Sequence, residues 1–309
     1  MVSSRRLWPY RLDLRTPFRG LTQRRGCLIA GSQGWGEFAP FDDYDAEADA
    51  RWLACALEQA DGRWPARLRD GVEVNAIIPA VAPDAAARMA VESGCRTIKV
   101  KVGDRLGLAR AQAVRDAVPG ARLRVDVNGG WTVPEAVRYL REFADLDLEY
   151  AEQPVRTYEQ MARLRDMVDV PLAADEVIRI DRRFDDVSQV ADVAVLKVAP
   201  LGGVASTLDA ARRVGLPVVV SSALDTSLGL AASVAAACSL EAEPLACGLG
   251  TGALFAEDTT EIRLIPAAGR MRAGDPPDPR PDLPVASDDL AYWRRRIRKA
   301  ADLRGTVDQ

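Results

Sequence analysis

The sequence contains no histidine among its 309 residues. Without an imidazole, a Ser-His-Asp or Cys-His nucleophile system, a histidine-ligated zinc site and a histidine general base are all excluded. The five cysteines lie far apart and form no CxxC motif, so neither a thiolate metal site nor a disulfide framework is predicted. Proton chemistry must therefore use carboxylates, lysines, tyrosines or thiols.

Lysine is almost as scarce. The 41 basic residues include only four lysines, and three of these, Lys99, Lys101 and Lys197, lie inside apolar runs that are typical of strands. Lysine releases its proton when burial or a neighbouring cation lowers its pKa, whereas arginine does not. We therefore expect these three lysines to be functional. The alternative is a set of buried ion pairs without a catalytic role.

A strong charge of one sign and long hydrophobic runs are also missing. The net charge is -4, which gives no indication of a nucleic-acid partner. The most apolar stretch, residues 228–240, is too short to cross a bilayer, and the arginines at positions 5 and 6 are not followed by the apolar segment of a secretory signal. We expect a cytoplasmic protein that binds a small-molecule carboxylate and neither nucleic acid nor membrane, while the oligomeric state stays open.

From Val74 onward, eight short apolar runs alternate with amphipathic helix patterns. This alternation predicts parallel strands joined by helical crossovers. Eight such units favour an α/β fold of the (β/α)8 barrel type, although an open doubly wound sheet is not excluded. We predict a small α+β capping domain at residues 1–72, a catalytic barrel at residues 73–264, and a C-terminal segment at residues 265–309 that packs back on them.

Helix boundaries are also visible in the sequence. Thr132 with Glu135, and Thr157 with Gln160, fit the capping box that begins a helix. A helix is predicted over residues 46–59, and a final one over residues 287–303 that docks its apolar side chains and leaves its arginines in solvent.

Charged residues recur near the ends of the predicted strands, at steps of 22 to 26 residues. They are Lys101, Asp126, Glu152, Asp175 and Lys197. In a barrel of parallel strands this spacing places all five at the C-terminal mouth, where the active sites of such barrels lie. Strand alternation puts Lys99 on the same face as Lys101, and Asn128 on the same face as Asp126.

Asp126, Glu152 and Asp175 form an all-oxygen donor set, which suits Mg²⁺, with Mn²⁺ as a substitute. The alternative is a buried salt-bridge cluster with the lysines. Asn128 and Glu176 are expected to support the ligands rather than to be ligands. A dication that holds a carboxylate, opposite a neutral lysine, is suited to removing the adjacent proton.

The segments IKVKV, DVNGGW, EYAEQP, AADE and LKVAPLGG, in this order, resemble the motifs of the enolase superfamily, muconate-lactonising subgroup. Lysine or histidine bases working with Mg²⁺ are established chemistry of that superfamily. Within it, GWGEFAPFDDYD, SSALDTSLGL and GLGTG are most similar to the o-succinylbenzoate synthase family. The resemblance covers nearly the whole chain.

This resemblance implies a Mg²⁺-dependent syn-dehydration of 2-succinyl-6-hydroxy-2,4-cyclohexadiene-1-carboxylate to o-succinylbenzoate, an intermediate of menaquinone synthesis. It assigns Asp126, Glu152 and Asp175 to the metal. Lys101 would take the α-proton and then, as an acid, assist the loss of hydroxide from the same face. Lys197 would stabilise the enediolate as a cation, and Lys99 would lower the pKa of Lys101.

The loops carry weaker signals. Ser221, Ser222 and the GLGTG turn, with Gly248 and Gly250, are candidates for binding the succinyl carboxylate, although ordinary strand-ending turns fit equally well. Residues 18–25 resemble the mobile loop that closes the site in this family, and Arg19 within them is a candidate substrate contact.

Other functions stay open at this point. N-succinylamino acid racemase, dipeptide epimerase and muconate cycloisomerase share the fold that the motifs imply. A Schiff-base aldolase would use Lys101 or Lys197 as its nucleophile. A barrel that serves only as a binding or scaffold protein is disfavoured, because every expected catalytic position is filled.

Overall fold

The structure is a computed structural model and describes residues 4–307. The chain begins with an antiparallel sheet of strands β1 (Leu7–Phe18), β2 (Leu21–Ala30) and β3 (Trp35–Phe38). Helix α1 (Ala46–Ala60) follows and packs on this sheet. The Asp45 carboxylate begins the helix by accepting a hydrogen bond from the Ala48 N–H at 2.7 Å. These elements form the predicted α+β cap.

Strands and helices then alternate through a parallel sheet with the order β11-β10-β9-β8-β7-β6-β5. Its strands are β5 (Ala76–Ile78), β6 (Thr97–Lys101), β7 (Arg122–Asp126), β8 (Leu148–Glu152), β9 (Leu172–Ala174), β10 (Val193–Lys197) and β11 (Val218–Ser221). A further strand, β4 (Gly71–Glu73), precedes them. The helices are α2 (Pro83–Ser93), α3 (Gly107–Ala117), α4 (Val133–Glu142), α5 (Tyr158–Arg165), α6 (Glu176–Arg179), α7 (Val198–Leu201), α8 (Val204–Val214) and α9 (Ser227–Ser239).

The eighth predicted strand needs correction. Within residues 4–307, the segment around Cys247 forms isolated bridges to Val74 and Ser221 instead of a regular strand. Its backbone still closes the barrel, because the Cys247 N–H donates to the Glu73 carbonyl at 2.7 Å and the Gly248 N–H donates to the Val220 carbonyl at 2.8 Å. We call this segment, residues 245–248, the seam.

The first predicted strand is also divided. Only its second half, β5, joins the barrel sheet, while β4 pairs antiparallel with strand β12 (Arg270–Arg272) of the C-terminal segment. Helix α10 (Leu290–Val307) follows and packs on α1. Its apolar side chains Trp293 and Ile297 are buried as predicted, but Arg296 is also buried and pairs with Asp49 at 2.5 Å. The expectation that the arginines of this helix lie in solvent is therefore wrong for Arg296.

The remaining fold predictions are confirmed where the structure tests them. Both capping boxes are present, at Thr132 with Glu135 and at Thr157 with Gln160. The helix predicted over residues 46–59 is α1, and the apolar stretch at residues 228–240 corresponds to the buried helix α9. Within the described part of the chain, no helix has the length and apolar character needed to span a bilayer. The division into residues 1–72, 73–264 and 265–309 stays a prediction.

The cap is joined to the barrel by a buried polar group, which we call the junction cluster: Tyr10, Arg24, Glu37, Asp225 and Thr226. The Glu37 carboxylate of β3 accepts hydrogen bonds from the Tyr10 hydroxyl at 2.6 Å and from the Thr226 hydroxyl at 2.5 Å. It also accepts the Gly229 N–H in the first turn of α9 at 2.8 Å. A carboxylate is favourable at this end of a helix, so Glu37 of the capping domain both positions α9 and stabilises its N-terminus.

Candidate active site

A narrow cavity of about 40 Å³ lies at the C-terminal ends of the barrel strands, beneath the cap. The barrel contributes the polar lining, which includes Lys99, Lys101, Asp126, Asn128 and Lys197. The cap covers it with Phe18, Arg19, Phe41 and Tyr44. The cavity is therefore charged below and largely aromatic above.

Strand register brings the polar residues together. Lys101 is paired with Asp126 across β6 and β7, and Asp126 with Glu152 across β7 and β8. Asp175 follows the last residue of β9, and Lys197 ends β10. With Lys99, these residues form the mouth cluster: Lys99, Lys101, Asp126, Glu152, Asp175 and Lys197. Asp126, Glu152 and Asp175 are at most 2% exposed.

Lys99 and Lys101 share a carboxylate but differ in their surroundings. The Lys99 ammonium lies 2.9 Å from both Glu152 oxygens and 3.1 Å from Asp126 Oδ2. Lys101 Nζ lies 2.6 Å from the same Asp126 oxygen and 2.5 Å from Asn128 Oδ1. Asn128 thus contacts Lys101, and its expected support of the metal ligands stays a prediction.

The two lysines also differ in their affinity for protons. Burial lowers the pKa of Lys99, but the charges of Glu152 and Asp126 outweigh it and hold this pKa well above the ordinary value. Burial lowers the pKa of Lys101, and although Asp126 opposes this effect, Lys99 reinforces it, so the pKa lies below the ordinary value. Lys101 is therefore the member of this pair that is suited to be a base.

The pKa values of the carboxylates Asp126 and Glu152 shift in opposite directions. Burial raises the pKa of Asp126, but the nearby Lys101 and Lys99 charges dominate and bring it far below its ordinary value. Burial and the negative charge of Asp126 raise the pKa of Glu152 to about 7, even though Lys99 opposes the shift. Glu152 is therefore the carboxylate of the mouth cluster that binds its proton most readily.

Asp175 is held from two sides. Its Oδ2 accepts a hydrogen bond from Lys197 Nζ, and its Oδ1 lies 3.1 Å from Arg179 Nε. Burial raises the pKa of Asp175, but Lys197 and Arg179 outweigh it and lower the pKa to about 2. Arg179 also donates to Glu176 Oε1 at 2.6 Å and to the Tyr44 hydroxyl at 2.9 Å. Glu176 thus supports Asp175 through this shared arginine.

Among residues 4–307, no three carboxylates are already arranged around a common point that would hold a metal ion. Each carboxylate of the mouth cluster is instead paired with a lysine, as in the salt-bridge alternative. The donor chemistry nevertheless fits a hard dication, because three buried carboxylates lie at the C-terminal ends of three consecutive strands. Among the described residues, the buried Glu176 Oε2 has no hydrogen-bond partner, so one carboxylate oxygen next to Asp175 is unsatisfied.

The loops after β11 and after the seam differ in part from the predicted carboxylate-binding arrangement. Ser221 and Ser222 line the cavity, and the Ser222 hydroxyl lies 2.6 Å from the hydroxyl of Thr251, another lining residue. The N–H of Gly248, however, is committed to the seam. A side chain at Gly248 would meet the Ser221 hydroxyl at 2.6 Å, so this glycine leaves room for the Ser221 side chain. Gly250 begins a short 3-10 helix beside Asn75. Contacts of these residues with a substrate stay predictions.

The segment that resembles a closing loop is the tip of a β-hairpin. Arg19 and Gly20 form the two-residue turn between β1 and β2, both with positive φ, at 52° and 75°. The Arg19 guanidinium lies 4.3 Å from the centre of the Phe41 ring, and the Phe18 ring lies 5.8 Å from Lys101 Nζ. Arg19 thus lies above the cavity, where a substrate contact is expected.

Sequence reasoning missed Tyr44, Phe41, Arg179 and Thr251. Arg179 lies four residues after Asp175, the spacing at which side chains meet on one face of a helix, so this contact was open to prediction. Tyr44 and Phe41 come from the cap and lie within the segment GWGEFAPFDDYD, so its resemblance to the family was the available signal.

Comparison with known proteins agrees with this geometry. The family described as "Enolase C-terminal domain-like" matches residues 82–281, and "Enolase N-terminal domain-like" matches residues 10–60. The chain is 47% identical over 304 residues to o-succinylbenzoate synthase of Thermobifida fusca, with 94% of each chain covered. It is 46% identical over 301 residues to o-succinylbenzoate synthase of Mycolicibacterium smegmatis, with 89% of this chain and 91% of the relative covered.

Solved structures show the same architecture. An N-succinyl Arg/Lys racemase from Bacillus cereus has a TM-score of 0.76 at 21% identity and covers 93% of this chain and 96% of its own. A dipeptide epimerase from Enterococcus faecalis, complexed with Mg and a dipeptide, has a TM-score of 0.76 at 19% identity and covers 88% of this chain and 97% of its own. The barrel, the cap and these sequence matches together establish that the chain belongs to the enolase superfamily.

Proposed function

We propose that this protein is an o-succinylbenzoate synthase, a cytoplasmic carbon–oxygen lyase that dehydrates 2-succinyl-6-hydroxy-2,4-cyclohexadiene-1-carboxylate in menaquinone synthesis. The observation that carries the proposal is the placement of Lys101 and Lys197 in one cavity with the buried carboxylate Asp126. The identity of 47% to a relative of that name supports the choice of substrate.

Lys101 is our proposed base. Its neutral amine takes the proton from the carbon that bears the ring carboxylate, and the electron pair of that C–H bond moves into the carboxylate group to give the enediolate. The pair then returns to form the new ring double bond as the C–O bond breaks. The departing hydroxide takes the proton from the Lys101 ammonium and leaves as water. The lowered pKa of Lys101, caused by burial and by Lys99, supports this assignment because the amine must be neutral at the start.

Lys197 and Lys99 are assigned supporting charges. Lys197 lines the same cavity at the end of a different strand, so its ammonium can stabilise the negative charge that develops on the enediolate. Lys99 is 6% exposed and paired with two carboxylates, which fits a cation that keeps its proton and acts on Lys101 by charge.

Mg²⁺, for which Mn²⁺ can substitute, would be held by Asp126, Glu152 and Asp175. When bound, such an ion acts as a Lewis acid toward the carboxylate oxygens of a substrate. Asn128 and Glu176 support this arrangement, because Asn128 contacts Lys101, and Glu176 shares Arg179 with Asp175.

Substrate binding is assigned to the upper part of the cavity. The hairpin tip at Arg19 covers the cavity, and we propose that it moves when the substrate enters. We assign the succinyl carboxylate to the side of Ser221 and Ser222, and a contact from above to Arg19. Gly248 and Gly250 would shape this wall through their backbones.

The proposal is tested by measuring o-succinylbenzoate formation from the purified substrate, with and without a chelator. We expect turnover that a chelator abolishes and that added Mg²⁺ or Mn²⁺ restores. Absence of product with Mg²⁺ present would reject the proposed function. Turnover that a chelator leaves unchanged would reject the assigned metal role alone.

One observation favours a second activity. Lys101 and Lys197 line one cavity from different strands, and two lysines placed in this way can remove and return a proton at the same carbon. N-succinylamino acid racemase and dipeptide epimerase are therefore the alternatives. Exchange of the α-proton of an N-succinylamino acid or a dipeptide with deuterium from solvent would reveal them, and a protein that only dehydrates should show no such exchange.

A further inference from the structure

We propose that Arg24, a cap residue that no part of the proposed chemistry uses, is a positioning residue that fixes the wall of the substrate cavity by holding the backbone of Leu224. This inference rests on the proposed function, because it concerns the same cavity. Arg24 lies on β2 and is 2% exposed, so its charge is placed inside the junction rather than in solvent.

The contacts of Arg24 connect both sides of the cavity. Its Nε donates to the Leu224 carbonyl at 3.1 Å, and its Nη2 donates to the carbonyl of Ala39 in the cap. Its guanidinium also lies 4.2 Å from the centre of the Phe41 ring. Leu224 and Phe41 both line the cavity, whereas Arg24 is not among the lining residues in the described part of the chain. Arg24 therefore acts on the cavity through its neighbours.

The conformation of Leu224 shows why it needs to be held. Its φ is 61°, in the left-handed region that a branched side chain adopts only at a cost. Leu224 follows Ser221, Ser222 and Ala223, which line the same wall, so relaxation of its backbone would shift that wall. The Ala223 N–H donates to Asp225 Oδ2 at 3.0 Å, which fixes the other end of the same turn. Arg24 supplies the contact from the cap.

Leu224 offers a matched pair of substitutions that separates backbone strain from side-chain contact. Leu224→Ala and Leu224→Gly both remove the side chain from the cavity, but only glycine adopts a positive φ freely. If Arg24 acts by holding this backbone, glycine at position 224 should make the enzyme less dependent on Arg24 than alanine does.

The experiment combines these substitutions with Arg24→Lys, which keeps the charge but loses the planar fork that reaches two carbonyls. We expect Arg24→Lys to raise KM by about fivefold or more, with kcat changed by less than about twofold, because binding rather than proton transfer is affected. In the Arg24→Lys background, the Leu224→Gly variant should have a KM close to that of Leu224→Gly alone. The Leu224→Ala variant should keep most of the increase in KM that Arg24→Lys causes. With Arg24 present, the two Leu224 variants should have similar KM values.

The outcomes separate the two proposals. Wild-type protein that makes no product would reject the proposed function. Normal wild-type turnover, with an unchanged KM in Arg24→Lys or with equal KM values for the glycine and alanine variants in that background, would reject the positioning role alone. Arg24→Gln, which removes the charge but keeps an amide donor, repeats the comparison if Arg24→Lys does not fold. If neither variant folds, Arg24 serves folding only and the inference is wrong.

Discussion

The mouth cluster and the junction cluster both bury carboxylates, but they satisfy them with different donors. At the mouth, the donors are the ammonium groups of Lys99, Lys101 and Lys197. At the junction, Glu37 is bonded by hydroxyl groups and by backbone N–H groups. A lysine can exchange its proton with a ligand, whereas the N–H groups of a helix cannot at neutral pH.

The two clusters also differ in how far their side chains are exposed. The side chains of Lys101 and Lys197 are 17% and 13% exposed toward the cavity, whereas Glu37, Asp225 and Thr226 are at most 3% exposed. Burial of charge therefore does not identify an active site in this protein. The useful criterion is a buried charge whose partner is a titratable cation that reaches a cavity.

The sharpest test of this comparison is Lys101→Ala. We expect dehydration to fall by about a thousandfold or more, because the proposed base is lost, while the protein stays folded, since Asp126 keeps its ion pair with Lys99. Lys101→Arg is the matched control, since it keeps a cation at the mouth but cannot release a proton, and it should be equally inactive. Activity in the arginine variant near that of the wild type would show that Lys101 supplies only charge.

Glu37→Ala should have the opposite profile. Loss of the carboxylate leaves the Tyr10 and Thr226 hydroxyls and the Gly229 N–H without their acceptor, so we expect the free energy of unfolding to fall by about 2–4 kcal/mol. Urea unfolding measures this effect. Glu37→Gln preserves the shape and one acceptor oxygen and should cost less. A stable Glu37→Ala protein that lacks activity would break the distinction between the two clusters.

The smallest expected effect concerns pH. Burial, followed by the charge of Glu37, raises the pKa of Asp225 to about 7. The folded chain then binds this proton more tightly than the unfolded chain, so the contribution of Asp225 to stability is complete below about pH 4 and is lost as the pH rises toward 7. Asp225→Asn should remove this loss of stability with rising pH, because an amide does not titrate in this range. The difference in unfolding free energy between variant and wild type should grow by about 2–3 kcal/mol from pH 4 to pH 7.

A difference that stays constant over this range would show that Asp225 keeps the same proton affinity in both states. These unfolding measurements are made without added metal, so that ion binding at the mouth does not contribute to stability.

The sequence predicted the parts of this protein that depend on local periodicity. Strand alternation and the recurrence of charged strand ends placed Lys101, Asp126 and Lys197 at one mouth, because a parallel barrel converts chain spacing into a shared edge. The capping boxes were predictable for the same reason, since each lies within four consecutive residues. Both features follow from short-range geometry.

Contacts between distant segments were not predictable. Arg24 bonds the carbonyl of Leu224, 200 residues away, and Glu37 bonds Thr226, 189 residues away. No period in the sequence connects such pairs, because the packing of the cap on the barrel determines them. The seam was mistaken for a strand because PLACGLG has the apolar composition of one, although its backbone forms only isolated bridges.

The seam has a further consequence. Neighbouring strands such as β6 and β7 are joined along five paired residues, whereas the seam meets its neighbours through isolated bridges at Cys247 and Gly248. Local opening of a fold begins where the fewest backbone bonds must break. The amide hydrogens of the seam should therefore exchange with solvent sooner than those of β6 and β7.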